Sequence, residues 1–81
     1  MNYTVIVHIV NEDPVMCEVD AMPNAEDQII TIHNPRRRDG KELHFLDEGV
    51  NTLVIPWHRI NMIQVMPTAE TEDVIGFVRE R

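Results

Sequence analysis

The segment of residues 52–67, TLVIPWHRINMIQVMP, constrains the fold of this chain more than any other part of it. It is an apolar stretch that is interrupted by one short polar turn and then resumes. Pro56 has no backbone N–H to donate to a sheet, so a strand must end or bend there. Residues 57–60 fit one short helical turn, and residues 61–66 again have the composition of a strand. The segment therefore predicts two short strands joined by a sharp bend.

The length of the chain, 81 residues, predicts one domain with a marginal core. A chain of this size buries only about 60% of the surface that it exposes when unfolded. Cys17 is the only cysteine, so neither a disulfide nor a thiolate zinc site can add stability. Association between copies is the remaining common way to stabilise so small a fold.

The charge is strongly acidic, with fourteen Asp and Glu against seven Lys and Arg, a formal net charge of −7. This balance favours solubility and opposes non-specific attraction to nucleic acid or anionic lipid. The N-terminal sequence has no basic leader or cleavage site, and no apolar run is long enough to span a membrane. We therefore expect a soluble, cytoplasmic protein with no membrane partner.

The rest of the chain alternates between β-period segments and turn residues, which predicts an all-β fold. Asn34-Pro35 is expected to close the third strand, and Asp39-Gly40 to form the exposed tip of a hairpin. The predicted strands before the bend are residues 3–10, 15–19, 28–33, 43–46 and 51–55, of which 43–46 would return as the hairpin partner of the third.

The last residues, 68–81, are ambiguous. Thr68 or Thr71 could cap a short helix with acidic residues near its N-terminus. The sequence Val-Ile-Gly-Phe-Val at 74–78 is equally typical of a strand, and Gly76 costs a helix about 1 kcal/mol relative to Ala. We predict a short helix, or an ordered tail that packs on a neighbouring molecule.

Ile55, Ile60 and Ile63 are spaced as Ile-x-x-x-x-Ile-x-x-Ile. This spacing resembles the second signature of the Sm/LSm family, which includes bacterial Hfq. Pro56 and Trp57 stand where that signature has Arg and Gly. The acidic composition is compatible with a divergent member of phage or marine origin.

Two further features bear on this resemblance. His58 falls on the histidine of the Lys-His pair of Hfq. Asp20, Met22 and Asn24 echo the first Sm signature with a spacing that differs by one residue, whereas the N-terminal helix typical of the family is missing.

The resemblance implies a small, strongly bent, five-stranded Sm-like (SH3-like) barrel over residues 1–67, followed by the tail at 68–81. Sm-like domains form rings by pairing the fourth strand of one copy with the fifth strand of the next. A head-to-tail contact of this kind closes when the rotation permits, and we expect about five to seven copies. Both segments around the bend are short, apolar and free of Lys, so they are suited to such pairing.

The resemblance also implies binding of single-stranded RNA. A basic cluster is formed by Arg36, Arg37, Arg38 and Lys41. A ring would repeat this cluster in every copy and so form a basic rim, which could follow a phosphate backbone despite the net charge. Solvation of a loop tip explains the same cluster without any ligand, and Trp57 could instead pack at a subunit boundary. The candidate RNA-binding residues are Arg36, Arg37, Arg38 and Lys41 in the cluster and Trp57, His58 and Arg59 in the turn.

Catalysis is not indicated anywhere in the sequence. It contains no nucleophile elbow, P-loop or dinucleotide fingerprint. The histidines in predicted strands, His8, His33 and His44, lack the paired spacing of metal ligands, so we expect neither a metal nor another cofactor. Two hypotheses remain: a ring that binds single-stranded RNA, and a ring or barrel that binds another protein as a scaffold.

Overall fold

The computed structural model describes residues 2–67, and this part of the chain is all-β, as predicted. All strand pairs are antiparallel, and the sheet order is β4-β3-β2-β1-β5. The sheet curls strongly into a half-barrel, which leaves β4 and β5 as its two edges. The elements are β1 (Tyr3–Ile9), β2 (Val15–Val19), β3 (Ile29–Arg37), β4 (Thr52–Pro56), the 3-10 turn η1 (Trp57–Arg59) and β5 (Ile60–Val65).

The core lies on the concave face of the sheet. β1 pairs with β2 on one side and with β5 on the other, so its apolar run is almost fully buried. β2 alternates between buried and half-buried positions, because successive side chains of a strand point to opposite faces. The buried core residues are Val5, Val7, Ile9, Val15, Cys17, Val19, Ile30, Ile32, Leu43 and Ile55.

The sharp bend predicted around Pro56 is present. β4 ends at Pro56, η1 makes one short turn, and β5 begins at Ile60. The turn is fixed to the sheet by backbone hydrogen bonds, since the Trp57 N–H donates to Gln28 O at 3.1 Å and the Val10 N–H donates to Arg59 O at 2.7 Å. Within residues 2–67, no helix is long and apolar enough to cross a membrane.

The prediction that Asn34-Pro35 ends the third strand was wrong, because β3 continues to Arg37. The register changes from Glu18 opposite His33 to Met16 opposite Arg36, so β3 contains one extra residue, a β-bulge. Asn34 has a φ of 54°, a left-handed conformation that Asn tolerates. Pro35 fits there because a bulged residue need not donate to the ladder.

The prediction of a strand at residues 43–46 was also wrong. The partner of β3 is β4, with Ile30 opposite Ile55. Residues 43–46 form a turn in which the Leu46 N–H donates to Leu43 O at 3.2 Å. Leu43 is buried and Leu46 packs against the core, so this segment covers the barrel interior without extending the sheet. The predicted helix or tail at 68–81 lies outside the described residues.

Candidate nucleic-acid interface

The turn η1 presents two cationic or titratable side chains at the corner between β4 and β5. His58 and Arg59 are both exposed. Within residues 2–67, neither side chain makes an ion pair or a side-chain hydrogen bond. Within this part of the chain, both side chains are therefore accessible to a ligand.

Trp57, the first residue of the turn, is half-buried and packs against the core. Its indole Nε1 is buried and has no hydrogen-bond partner in the described part of the chain. The indole also lines a cavity of about 350 Å³ that it shares with the loop after β2. The other lining residues are Pro23, Asn24, Ala25 and Asp27.

The loop that faces Trp57 is held by its own side chains. The Glu26 N–H donates to Asn24 Oδ1 at 3.0 Å, and the Asn24 N–H donates to Asp27 Oδ2 at 2.9 Å. The sequence analysis noted Asn24 only as an echo of a motif and did not place it beside Trp57. The proximity of Asn24 to Trp57 cannot be inferred from residue spacing, because the two lie 33 positions apart in the sequence.

The basic cluster is partly neutralised within the chain. Arg36 forms a bidentate ion pair with Glu18, with Nη2–Oε2 at 2.9 Å and Nη1–Oε1 at 3.1 Å. Arg36 Nη1 also donates to Asn34 O at 2.6 Å. The hydrogen bonds from Arg36 lower the pKa of Glu18, and the same contact raises the pKa of Arg36. Arg36 is therefore a structural cation, a role that the sequence analysis missed.

The rest of the cluster lies in the turn after β3. Arg37 Nη2 lies 3.4 Å from Asp39 Oδ2, and both side chains are about half exposed. Arg38 and Lys41 are exposed and make no side-chain ion pair within residues 2–67. Of the four predicted cations, two thus remain available to bind an anion.

The turn and the basic cluster lie at opposite ends of β3. Pro56, next to the turn, is opposite Ile29 at the start of β3, whereas Arg37 is its last residue. Arg37 lies eight residue steps after Ile29 along the strand, about 25 Å at the usual rise. The predicted site residues therefore form two separate sites in one copy, and only an extended ligand could reach both.

Of the other titratable residues in the described part of the chain, His8 and His33 contact neighbouring polar side chains and Cys17 is buried. His8 Nε2 lies 2.7 Å from Gln64 Oε1, and His33 Nε2 lies 3.2 Å from Asp20 Oδ2. Among residues 2–67, no three His, Cys, Asp or Glu side chains are grouped closely enough to hold a metal ion. Cys17 is fully buried, and burial raises the pKa of its thiol to about 12.

An apolar groove runs beside β4, and the sequence analysis did not predict it. Its volume is about 380 Å³. Apolar side chains of β4, of the end of β1 and of the 43–46 turn form most of its lining, with charged residues at the end nearest η1. The lining residues are Ile9, Glu12, Phe45, Leu53, Val54, Ile55, Pro56, His58 and Arg59. We call this feature the β4 groove.

No family model, curated protein or solved structure matches this chain.

Proposed function

We propose that this protein forms a homo-oligomeric, Sm-like ring that binds single-stranded RNA and has no catalytic activity. The observation that carries the proposal is the position of η1. It joins the two edge strands of the half-barrel and presents His58 and Arg59 at the corner between them.

The two edges support the assembly part of the proposal. Among residues 2–67, β4 and β5 each pair with one neighbour, which leaves one side of each backbone open to another strand within this part of the chain. Neither strand contains a charged residue, and each exposes a large apolar side chain, Val54 (58%) and Met62 (55%). Unprotected edges of this kind favour strand pairing between chains. Pairing β4 of one copy with β5 of the next would satisfy both edges in a closed ring.

The turn supports the RNA part of the proposal. Imidazole and guanidinium groups stack on bases or contact phosphates, and single-stranded RNA offers unstacked bases to both. The cavity between Trp57 and Asn24 adjoins the turn and combines an aromatic surface with a side-chain amide. In a ring, this corner would be repeated once per copy. Arg38 and Lys41, at the other end of β3, would contact the phosphate backbone.

Light scattering at micromolar concentration tests the assembly. We expect a closed oligomer of about five to seven copies. Val54→Lys places a charge on the β4 edge and should yield smaller species. Thr31→Lys is the matched control, because Thr31 is opposite Val54 on the same face but lies on an inner strand. A wild-type protein that is a monodisperse monomer at all concentrations would contradict the ring.

Titration of labelled uridine-rich and adenine-rich oligonucleotides at low salt tests RNA binding. His58→Ala should weaken binding by about 1–3 kcal/mol if the imidazole stacks on a base. His33→Ala is the control, since His33 lies at the other end of β4, opposite Thr52. An assembled ring that binds neither oligonucleotide at low salt is not an RNA-binding protein.

A second candidate, a scaffold that binds another protein, is favoured by one observation. Arg36 and Arg37 are both paired with carboxylates of the same chain, and the net charge is −7. An assembled ring without RNA affinity would fit this function, because a protein partner requires no basic surface.

A further inference from the structure

The β4 groove and residues 74–78, Val-Ile-Gly-Phe-Val, match in length, polarity and flanking charge. We propose that residues 74–78 bind to the free edge of β4 in the same chain as an added antiparallel strand. This docking would compete with a second copy for the β4 edge. Docking itself is independent of the proposed ring, whereas the competition rests on it.

The groove offers both a strand edge and an apolar surface. β4 has no partner on the side away from β3 among the described residues. Leu53 and Ile55 belong to the core or pack against it, and they line the groove together with Phe45. An added strand would pair with the β4 backbone and cover these side chains, in the way that extended peptides bind sheet edges.

Residues 74–78 have the composition and the period that this edge requires. They are five residues, the length of β4, and are mostly β-branched or aromatic. In a strand, Ile75 and Phe77 share one face, and Gly76 lies on the other face between two valines. The larger pair would enter the groove beside Leu53 and Ile55.

The charges on both sides of the segment determine its direction. Glu70, Glu72 and Asp73 precede it, and Arg79 and Arg81 follow it on either side of Glu80. An antiparallel strand would place the acidic residues at the end of β4 that carries the turn.

That arrangement pairs opposite charges at both ends of β4. The acidic residues would meet the guanidinium of Arg59 and the imidazole of His58, which can donate a hydrogen bond to a carboxylate, beside Glu12, which also lines the groove. The arginines would lie at the Thr52 end, which Asp47 and Glu48 precede in sequence. A parallel strand would instead bring arginines to Arg59, and like charges repel.

The chain is long enough to reach the groove. The Met66 N–H donates to Thr4 O at 2.8 Å, which holds the end of the described chain beside the start of β1. The turn η1 lies at the other end of β1, because Val10 bonds Arg59. The two points are separated by about 20 Å of strand. The seven residues 67–73 span up to about 25 Å when extended.

Hydrogen exchange of the full chain, at concentrations where light scattering shows only monomer, tests the docking. We expect the β4 amides that point away from β3 to be protected in the wild type. In Phe77→Asp they should exchange at least about tenfold faster, with β1 and β2 amides unchanged as the control for folding. Thr71→Asp adds the same charge outside the segment and should leave β4 protection as in the wild type.

Three results separate the alternatives. Equal β4 exchange in monomeric wild type and Phe77→Asp would overturn the docking, whether or not a ring forms. Protection that appears only at concentrations where copies associate would assign the edge to a second copy, and would overturn it too. If no variant assembles at any concentration, the ring proposal fails, and monomer exchange still decides the docking.

The competition has its own readout in the same proteins. Phe77→Asp should assemble at a concentration at least about tenfold lower than the wild type or Thr71→Asp. Adding a synthetic peptide of residues 70–81 should reverse that gain. Identical assembly of the three proteins would show that residues 74–78 do not compete for the edge.

Discussion

The ion pair between Glu18 and Arg36 makes one cation of the basic cluster unavailable to a ligand. The two residues lie on adjacent strands, β2 and β3, and their bidentate contact is only partly exposed. Arg37 has a longer and more exposed contact with Asp39. We therefore expect the Glu18–Arg36 pair to stabilise the sheet and the Arg37–Asp39 pair to contribute little to the free energy of unfolding.

Replacing Glu18 tests this difference. Because the pKa of Glu18 is lowered, the pair stabilises the folded protein above the ordinary glutamate pKa of 4.5, and this contribution is lost as the pH falls through the lower folded-state pKa. Glu18→Gln should therefore cost about 1 kcal/mol at pH 7 and much less at pH 3. Urea unfolding of the wild type and of Glu18→Gln at pH 7 and at pH 3 measures this loss in the free energy of unfolding.

Asp39→Asn is the control for the Glu18 variant, since it breaks the exposed pair with Arg37. It should change the free energy of unfolding by less than about 0.5 kcal/mol. Equal losses for the two variants, or a loss for Glu18→Gln that persists at pH 3, would contradict the assignment.

The thiol of Cys17 should be inert in the folded protein. Burial raises its pKa to about 12, and the neighbouring charge of Glu18 acts in the same direction. Only the thiolate reacts with alkylating agents, so iodoacetamide at pH 8 should label native protein at least about 100-fold more slowly than protein in urea. Similar rates in the two conditions would show that β2 opens readily.

At the scale of elements, β3 runs from the neighbourhood of η1 to the basic cluster and contributes part of the core. Its bulge at Asn34 lets the strand pass a proline and continue, which brings Arg36 opposite Met16. Its side chains before the bulge alternate strictly, so Ile30 and Ile32 are buried while Ile29 and Thr31 are exposed.

Two isoleucines of β3 provide a matched test of this alternation. Ile32 is fully buried and Ile29 is exposed, although they lie three residues apart on one strand. Ile32→Ala should lower the free energy of unfolding by about 3 kcal/mol, since it leaves a cavity in the core. Ile29→Ala should cost less than about 1 kcal/mol. Thermal or urea unfolding of the two variants would reveal a shifted register if the losses were reversed.

At the scale of the whole molecule, the half-barrel leaves two apolar edges on a chain of net charge −7. Within residues 2–67, the turn exposes His58 and the cation Arg59, and the loop after β3 exposes the cations Arg38 and Lys41. A ring would repeat both groups around one axis, which is how an acidic protein could still present a local basic surface.

The salt dependence of RNA binding tests whether the exposed cations of the loop after β3 contact phosphates. Neutralising Arg38 and Lys41 together should weaken binding to all sequences and flatten its dependence on salt, because phosphate contacts release counterions whatever the base. Arg37→Gln should have a smaller effect, since Asp39 already partly neutralises that side chain. Titrations at several salt concentrations compare the slopes, and equal slopes for all variants would exclude phosphate contacts at this loop.

The sequence by itself determined the all-β class, the bend after Pro56 and most of β1, β2 and β5. These features depend on local chemistry: side-chain alternation, β-branched residues and the missing N–H of proline. It also singled out His58 and Arg59 in the turn as candidate RNA-binding residues. The assembly and the RNA binding that it suggested remain predictions.

Only the tertiary structure decided which segments are neighbours. Pro35 does not end β3, because a bulge in the same strand accommodates it, and Asn34 provides that bulge through its positive φ. Residues 43–46 have strand-like residues but cover the core as a turn, because β4 already occupies the edge of β3. The pairing of Arg36 with Glu18 likewise depends on strand register, a long-range property that residue spacing does not specify.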